Sequence, residues 1–123
     1  MPRNISFALT TRQFLDGSKD VTRRMGWKNL KAGDVLCAVE KGRGLKPGEK
    51  IKRLGMIRVV SVRREMLLEM QGGDYGREEC RREGFPEMAQ DEFIGFFCDS
   101  HKGCMPSDLV TRIEFERITK EGE

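Results

Sequence analysis

The 123-residue chain carries 23 Lys or Arg against 20 Asp or Glu, and 37% of its residues are hydrophobic. These values exclude a disordered composition and suit one domain with a single modest core, which we place over residues 1–123 with a frayed tail at 119–123. No apolar run of about 18 residues and no signal-peptide pattern occurs, so we expect a cytoplasmic protein with no membrane partner and with reduced cysteines.

The first half of the chain has the pattern of strands joined by one short helix. In chain order we predict a strand at residues 5–9, a helix at 12–15, and strands at 19–24, 35–39 and 51–64. Gly17 is expected to end the helix, because glycine takes a left-handed backbone without steric cost. Gly55 predicts a bulge in the long fourth strand.

The second half holds two predicted helices and a last strand. They span residues 74–82, 89–98 and 109–118, and Asp74 is expected to cap the first helix. The phenylalanines of the second helix have the spacing of a core stripe, so no ligand role is assigned to them. Four glutamates are interpreted as a solvated acidic face: Glu78, Glu79, Glu87 and Glu92. Together the elements favour the α+β class, with a mixed β-barrel of about five to six strands and short flanking helices.

The charge is divided unevenly along the sequence. Residues 1–68 hold 16 basic and 6 acidic side chains, whereas residues 69–123 hold 7 basic and 14 acidic ones. Two interpretations stay open: a basic face that meets phosphates, or two halves that neutralise each other within one fold.

One stretch concentrates side chains that can do chemistry. Directly behind the turn glycine, the chain sets Lys19, Thr22, Arg23 and Arg24 at the expected lip of a pocket. Cations and a hydroxyl in this arrangement suit an anionic or amide-bearing ligand. An ideal strand would send Lys19 and Thr22 to opposite faces, so the two can act together only if a bulge or turn occurs at Asp20-Val21.

A second cationic stretch, residues 41–53, holds six basic side chains and one acidic one. Its glycines let a ligand approach the backbone, and Trp27 can stack on a base. With Arg23 and Arg24, this stretch is interpreted as a phosphate-facing surface for RNA, and the alternative is a turn that its charge keeps solvated. The basic residues assigned to ligand binding in this stretch are Arg43, Lys46, Lys50, Lys52 and Arg53.

Cys98, His101 and Cys104 are spaced as three potential zinc ligands, with Cys37 or Cys80 as a fourth. The alternatives are ordinary thiols beside a loop histidine, or a disulfide between Cys98 and Cys104 under oxidation. Because paired Cys-x-x-Cys motifs are absent, we expect no metal and no other cofactor.

Four motifs occur in a characteristic order along the chain. They are the helix residues Phe14-Leu15, the segment Gly17-x-Lys19-x-x-x-Arg23-Arg24, the turn Gly33-Asp34-x-Leu36, and the strand Val110-Thr111-Arg112-Ile113-Glu114-Phe115. This order resembles the ASCH domain of the PUA-like superfamily, especially its small single-domain versions from phage and prophage. The resemblance covers residues 5–118.

The resemblance implies a PUA-like β-barrel with a cleft that recognises RNA or a nucleoside. Some small members of the family are similar to amidohydrolases that remove the acyl group from N4-acylcytidine, and in those a lysine, a threonine and a glutamate act together. Lys19 and Thr22 match the first two positions, and Glu83 is the match for the third. The broader family pattern has a glutamate where this chain has Thr22, which favours the hydrolase version.

Three functions follow as hypotheses, and none of them names a protein partner. The first is recognition of RNA or a modified nucleoside in a basic cleft, the second is deacylation of an N4-acylcytidine-type nucleoside, and the third is a ribonuclease of the same fold. In the second, Thr22 is the nucleophile or positions a water, and Lys19 is the base if burial or nearby cations lower its pKa. Glu83 carries the proton to the leaving nitrogen.

Overall fold

The structure is a computed structural model that describes residues 3–41 and 45–118. Within that part of the chain the elements are β1 (Arg3–Ser6), α1 (Thr11–Asp16), β2 (Val21–Arg24), β3 (Val35–Val39), β4 (Arg53–Met66), a 3-10 helix (Leu67–Gln71), α2 (Gly73–Arg82), α3 (Gln90–Asp99) and β5 (Leu109–Ile118). The predicted frayed tail at residues 119–123 lies outside the described residues. The α-helices of the described part have six to ten residues, and none is long and apolar enough to cross a bilayer.

The five strands form one mixed sheet in the order β1-β3-β4-β5-β2, and this sheet curls into a half-barrel. β1 pairs in parallel with β3, and the other neighbours are antiparallel. With the helices, this is an α+β fold, as predicted. The expected closed barrel is not observed, because β1 and β2 are the two edges of the sheet and do not pair with each other in the described residues.

Helix α1 and one arginine occupy the gap between the two edge strands. α1 connects β1 to β2 and buries Phe14, whose ring stacks on Phe7 with 4.9 Å between the centroids. Arg24, at the end of β2, donates from Nη2 to the carbonyl oxygen of Ser6 in β1 at 2.5 Å. An aromatic contact and a guanidinium therefore bridge the opening that a strand ladder would close.

The core consists of two apolar clusters that meet beside the candidate site. One lies between the sheet and α1 and includes Phe7, Phe14 and Phe115. The other involves the 3-10 helix, α2 and α3 and includes Phe93 and Phe97. Aromatic side chains from both clusters line the cavity described below.

Several predicted boundaries are confirmed and others are shifted. β3 and β5 span the predicted residues, Gly17 ends α1 with a φ of 83°, and the β3–β4 register shifts next to Gly55. The first strand ends at Ser6 instead of residue 9, and the second begins at Val21 instead of residue 19. Gly72 rather than Asp74 occupies the N-cap of α2, so Asp74 lies in the first helical turn.

Candidate active site

The backbone that precedes β2 is irregular, and it places Lys19 at the same cavity as Thr22. The Lys19 N–H donates to the Gln13 carbonyl of α1 at 3.2 Å. The Asp20 N–H donates to the carbonyl of Arg82, the last residue of α2, at 2.9 Å, whereas the Asp20 carbonyl accepts from the Phe115 N–H of β5 at 3.0 Å, in the register of the β2–β5 ladder. Strand geometry begins only at Val21. The alternation rule therefore does not apply between Lys19 and Thr22, as their joint action requires.

Helix α2 ends in a Schellman motif that positions Glu83. Gly84, with a φ of 101°, donates its N–H to the Arg81 carbonyl at 3.0 Å, and the Phe85 N–H donates to the Cys80 carbonyl at 2.9 Å. These two bonds terminate a helix at a left-handed glycine. The chain turns immediately after Glu83, whose side chain is buried.

We expect Gly84→Ala to lower the free energy of unfolding by about 1–3 kcal/mol. The added Cβ would lie 2.9 Å from Gln13 Cβ and Cγ and 3.5 Å from Lys19 Cβ, on a backbone that alanine rarely adopts. Gly95→Ala is the matched control, because Gly95 is exposed in α3 and its added Cβ meets nothing within 4 Å. Helix propensity predicts a gain of up to about 1 kcal/mol there. Chemical unfolding measures the free energy of unfolding of both variants. Equal values for Gly84→Ala and Gly95→Ala would contradict the prediction.

Lys19 and Glu83 form a buried ion pair. The Lys19 Nζ donates to Glu83 Oε1 at 3.0 Å and to the Glu83 carbonyl oxygen at 2.8 Å, and the two side chains are 3% and 4% exposed. Burial lowers the pKa of Lys19; the Glu83 carboxylate opposes this shift, and Arg24 and Arg23 add to it. An amine with a lowered pKa releases its proton more readily than a solvated lysine, as a catalytic base must.

Arg23 holds the second oxygen of Glu83. Its Nη1 donates to Glu83 Oε2 at 2.9 Å, and its Nη2 donates to Glu79 Oε1 at 2.6 Å and to Glu65 Oε2 at 3.0 Å. Burial alone would lower the pKa of Arg23, but the three carboxylates outweigh it and raise that pKa. Arg23 lines the cavity, but its positive charge is already neutralised by carboxylates of the protein. Its role is therefore to hold the Glu83 carboxylate in position.

Glu79 is buried, so its assignment to a solvated acidic face is wrong. Its two oxygens accept from Arg112 at 2.5 and 3.0 Å, in addition to the bond from Arg23. Burial alone would raise the pKa of Glu79, but these hydrogen bonds outweigh it and lower the pKa to about 2. The reason is helical spacing, because Glu79 lies one turn before Glu83 and faces the same arginine. The other three glutamates of that predicted face are exposed.

The Thr22 hydroxyl is supported by Arg24. The Arg24 Nε donates to Thr22 Oγ1 at 3.0 Å, and Thr22 is 3% exposed. Burial lowers the pKa of Arg24 to about 10, with Glu83 opposing the shift, so the guanidinium is cationic at neutral pH. One lone pair of Oγ1 is occupied, which leaves the Thr22 O–H able to donate. A cation beside this oxygen stabilises negative charge that develops on it.

These side chains line one cavity of about 240 Å³. Its polar lining is formed by Thr10, Lys19, Thr22, Arg23, Arg24 and Glu83. Its aromatic lining is formed by Phe7, Phe85, Phe93, Phe96 and Phe97, with Ser100 and His101 beside them. The structure therefore brings together all three residues predicted as catalytic and two of those predicted to bind the ligand.

The aromatic lining was not expected from the sequence, which predicted the α3 phenylalanines only as core. Phe93 and Phe97 are buried in the core, but together with Phe96 they also border the cavity. His101 continues the row: its ring stacks on Phe97 with 4.2 Å between centroids. The available signal is the four-residue spacing of Phe93 and Phe97, which places them on one face of α3, whereas His101 follows two residues after the helix ends.

The described residues of the stretch 41–53 and Trp27 do not line this cavity, whereas Arg23 and Arg24 do. Lys52 pairs with Glu40 at 3.3 Å. Trp27 is half-buried, and the guanidinium of Arg3 covers its ring at 3.8 Å. Arg43 lies outside the described residues, and the remaining exposed residues of that stretch are absent from the cavity lining: Lys46, Lys50 and Arg53.

The cysteine–histidine group does not form the predicted ligand set. The Cys98 and Cys104 sulfurs are 3.5 Å apart, but His101 directs its Nδ1 to the Phe97 carbonyl at 2.8 Å. Burial and the neighbouring Cys98 thiol raise the pKa of Cys104 to about 11. Among residues 3–41 and 45–118, no three His, Cys, Asp or Glu side chains are placed to hold a metal ion.

The uneven charge of the two halves is neutralised at this site. Lys19 and Arg23 come from the basic half, and the carboxylates that bind them, Glu79 and Glu83, come from the acidic half. Of the two interpretations of the charge asymmetry, mutual neutralisation therefore describes these buried groups.

Comparison with known proteins bears on the fold. No protein-family model and no curated protein matches the chain. The fold resembles that of EF3133. This protein comes from Enterococcus faecalis V583, and its crystal structure is described with the family model DUF984. The TM-score is 0.64 at 17% sequence identity, and the match covers 96% of this chain and 80% of EF3133. At this identity, the similarity to EF3133 shows a shared fold alone.

Proposed function

We propose that the cavity binds a nucleoside whose exocyclic amine is acylated, of the N4-acylcytidine type, and hydrolyses that amide. The observation that carries the proposal is the presence of a buried amine, hydroxyl and carboxylate, from Lys19, Thr22 and Glu83, in the lining of one cavity. Its 240 Å³ lie a little below the range of about 300–1,000 Å³ typical of drug-sized ligands, which suits a nucleoside-sized molecule. The aromatic lining supports the stacking of a base.

The proposed mechanism gives each polar group one task. Lys19, in its neutral form, accepts a proton from the Thr22 hydroxyl or from a water that Thr22 orients. The deprotonated oxygen attacks the acyl carbon, and Arg24 stabilises the charge beside it. The C–N bond breaks, and the proton passes through the Lys19–Glu83 pair to the leaving nitrogen. If Thr22 itself attacks, water then hydrolyses the acyl ester. The net reaction consumes one water and releases a carboxylic acid and the free amine.

We also propose that the chain is a small ASCH-type domain with a PUA-like fold. The order of its motifs supports this assignment, and so does the curled mixed sheet. The three positions that the resemblance matches lie far apart in sequence and border the same cavity, which is further support.

The release of cytidine from N4-acetylcytidine by the purified protein tests the proposal. We expect equal amounts of cytidine and acetate to accumulate with time, as measured by chromatography. Protein unfolded by heat is the control for spontaneous hydrolysis. If N4-acetylcytidine binds and stays intact over many hours, the hydrolytic function is refuted.

Recognition without hydrolysis is the second candidate function. It is favoured by the two hydrogen bonds from the Lys19 amine to oxygens of Glu83, which occupy two of its three N–H donors and hold it as a fixed polar contact. Calorimetric binding of cytidine and N4-acetylcytidine, combined with unchanged substrate, is the result expected for this candidate. Ribonuclease activity stays a prediction that no contact in the cavity favours over these two.

A further inference from the structure

A basic groove lies between the β2–β3 connection and β4, and it shares no lining residue with the candidate active site. Its polar lining consists of Lys28, Lys31, Ser61, Arg63, Arg64 and Thr111, and it encloses about 520 Å³. All four charged residues of this lining are cations. No carboxylate of the described residues lines the groove.

The two lysines of the basic groove are not neutralised by the described carboxylates. Lys28 and Lys31 are exposed, and neither forms one of the ion pairs found within residues 3–41 and 45–118. Arg63 pairs with Glu65 at 2.9 Å, and Arg64 donates to Thr111 Oγ1 at 3.2 Å. The two lysines of the groove thus carry positive charge that no described carboxylate neutralises.

Two carboxylates near the groove accept hydrogen bonds from residues that line it. Asp34 accepts from the backbone N–H of Lys31 at 3.0 Å, and Glu114 accepts from the Ser61 hydroxyl at 2.8 Å. Neither carboxylate forms an ion pair with a cation of the groove, and Lys28, Lys31 and Arg64 form none of the ion pairs found in the described residues. All the charged side chains that line the groove are therefore cations, and only Arg63 among them is paired with a described carboxylate.

The walls of the basic groove are held in place by backbone contacts. The Gly33 N–H donates to the Val59 carbonyl at 2.8 Å, and the Val59 N–H donates to the Asp34 carbonyl at 2.8 Å. The Thr111 hydroxyl donates to the Gly26 carbonyl. The β2–β3 connection is thus fixed to the sheet at both ends, so the lysines project from a preorganised segment.

We propose that the basic groove binds the phosphodiester backbone of a nucleic-acid strand. Cations distributed along a groove match a chain of repeated single charges, and such contacts bind without reading sequence. The choice of nucleic acid among polyanions rests on the proposed nucleoside cavity. Thr111 of the groove pairs across the β2–β5 ladder with Arg24 of the cavity, and neighbouring strands lie about 4.8 Å apart. A bound strand would therefore pass close to that cavity.

Fluorescence anisotropy with a labelled oligoribonucleotide of about 12 nucleotides tests the groove. For about four phosphate contacts, we expect a plot of log affinity against log salt with a slope of roughly −3. The variant Lys28→Gln, Lys31→Gln, Arg64→Gln should make that slope less negative by about 2 and weaken binding at least about 10-fold at low salt. Arg63 is left unchanged because it also bonds to Glu65 and Tyr75.

The matched control removes the same charge from the other basic stretch, in the variant Lys46→Gln, Lys50→Gln, Lys52→Gln. We expect its affinity to stay within about 2-fold of the wild type, since isolated solvated charges contribute little. The proposal is overturned if the wild type shows no salt-dependent binding, or if both triple variants lose affinity equally. It also fails if inorganic polyphosphate displaces the labelled RNA more effectively than unlabelled RNA does. None of these outcomes depends on cytidine release, so failure of this proposal and failure of the deacylase proposal can be told apart.

Discussion

Glu83→Gln is expected to reduce kcat/KM for the deacylation of N4-acetylcytidine by about 10²–10⁴-fold, the usual contribution of a general acid–base group. Glutamine has nearly the shape of glutamate, but it has no charge and only one acceptor oxygen. It cannot accept from both Lys19 and Arg23 as the carboxylate does at 3.0 and 2.9 Å. The proton route from Lys19 to the leaving nitrogen is thereby interrupted.

The pH dependence of the residual activity distinguishes this role from a structural one. Glu83 raises the pKa of Lys19 against the effect of burial, so its removal lowers that pKa further. The acid limb of the rate profile, which follows deprotonation of the base, should move to lower pH. Glu69→Gln, at an exposed position on the 3-10 helix, is the control with the same chemical change. A folded Glu83→Gln protein with activity near that of the control would exclude Glu83 from the mechanism.

Glu79→Gln is expected to lower the free energy of unfolding by about 3–5 kcal/mol at neutral pH. The substitution leaves Arg112 and Arg23 buried with an incomplete set of acceptors, and a buried uncompensated charge is costly. The neighbouring variant Glu78→Gln is the control. Glu78 and Arg81 are each 55% exposed, and loss of such a pair costs less than about 1 kcal/mol. Urea unfolding at neutral pH measures both variants.

At acid pH, the difference in the free energy of unfolding between the wild type and Glu79→Gln should become smaller. The pKa of Glu79 is lowered from 4.5 to about 2 in the folded protein, so the folded carboxylate stays charged where the unfolded one takes up a proton. Its contribution is complete above its ordinary pKa and is lost as the pH falls through the folded value. The stability gap should therefore narrow between about pH 4.5 and about pH 2. If the difference in the free energy of unfolding stayed constant down to about pH 2, the charged Glu79 carboxylate would not be the source of that stability.

Local sequence rules account for the parts of the site that depend on neighbouring residues. A glycine behind a short helix predicts where α1 ends, and Gly17 has the expected left-handed backbone. The conflict between Lys19 and Thr22 in an ideal strand predicts a bulge or turn at Asp20-Val21, whereas the structure has irregular backbone at residues 18–20 and a regular strand from Val21. The third polar member, Glu83, could be selected only through the family resemblance, because nothing in its local pattern distinguishes it from the other glutamates of α2.

Features that depend on distant partners could not be predicted in this way. Glu79 lies in a polar helix, and its burial follows from two arginines that are 56 and 33 residues away in sequence. The open side of the half-barrel also depends on contacts between residues that are distant in sequence. Strand patterns indicate how many strands exist, whereas the side chains of α1 and Arg24 determine that the edge strands remain unpaired.

Arg24 links the curvature of the sheet to the environment of the Thr22 hydroxyl. Its Nη2 contacts the Ser6 carbonyl across the opening, while its Nε contacts Thr22. The separation of the edge strands thus determines where the guanidinium lies relative to Oγ1. A change far from the cavity that flattens the sheet, for example at the bulge beside Gly55, would draw Arg24 away from Thr22. Reactivity in this fold can therefore be adjusted through backbone shape while every residue of the cavity stays the same.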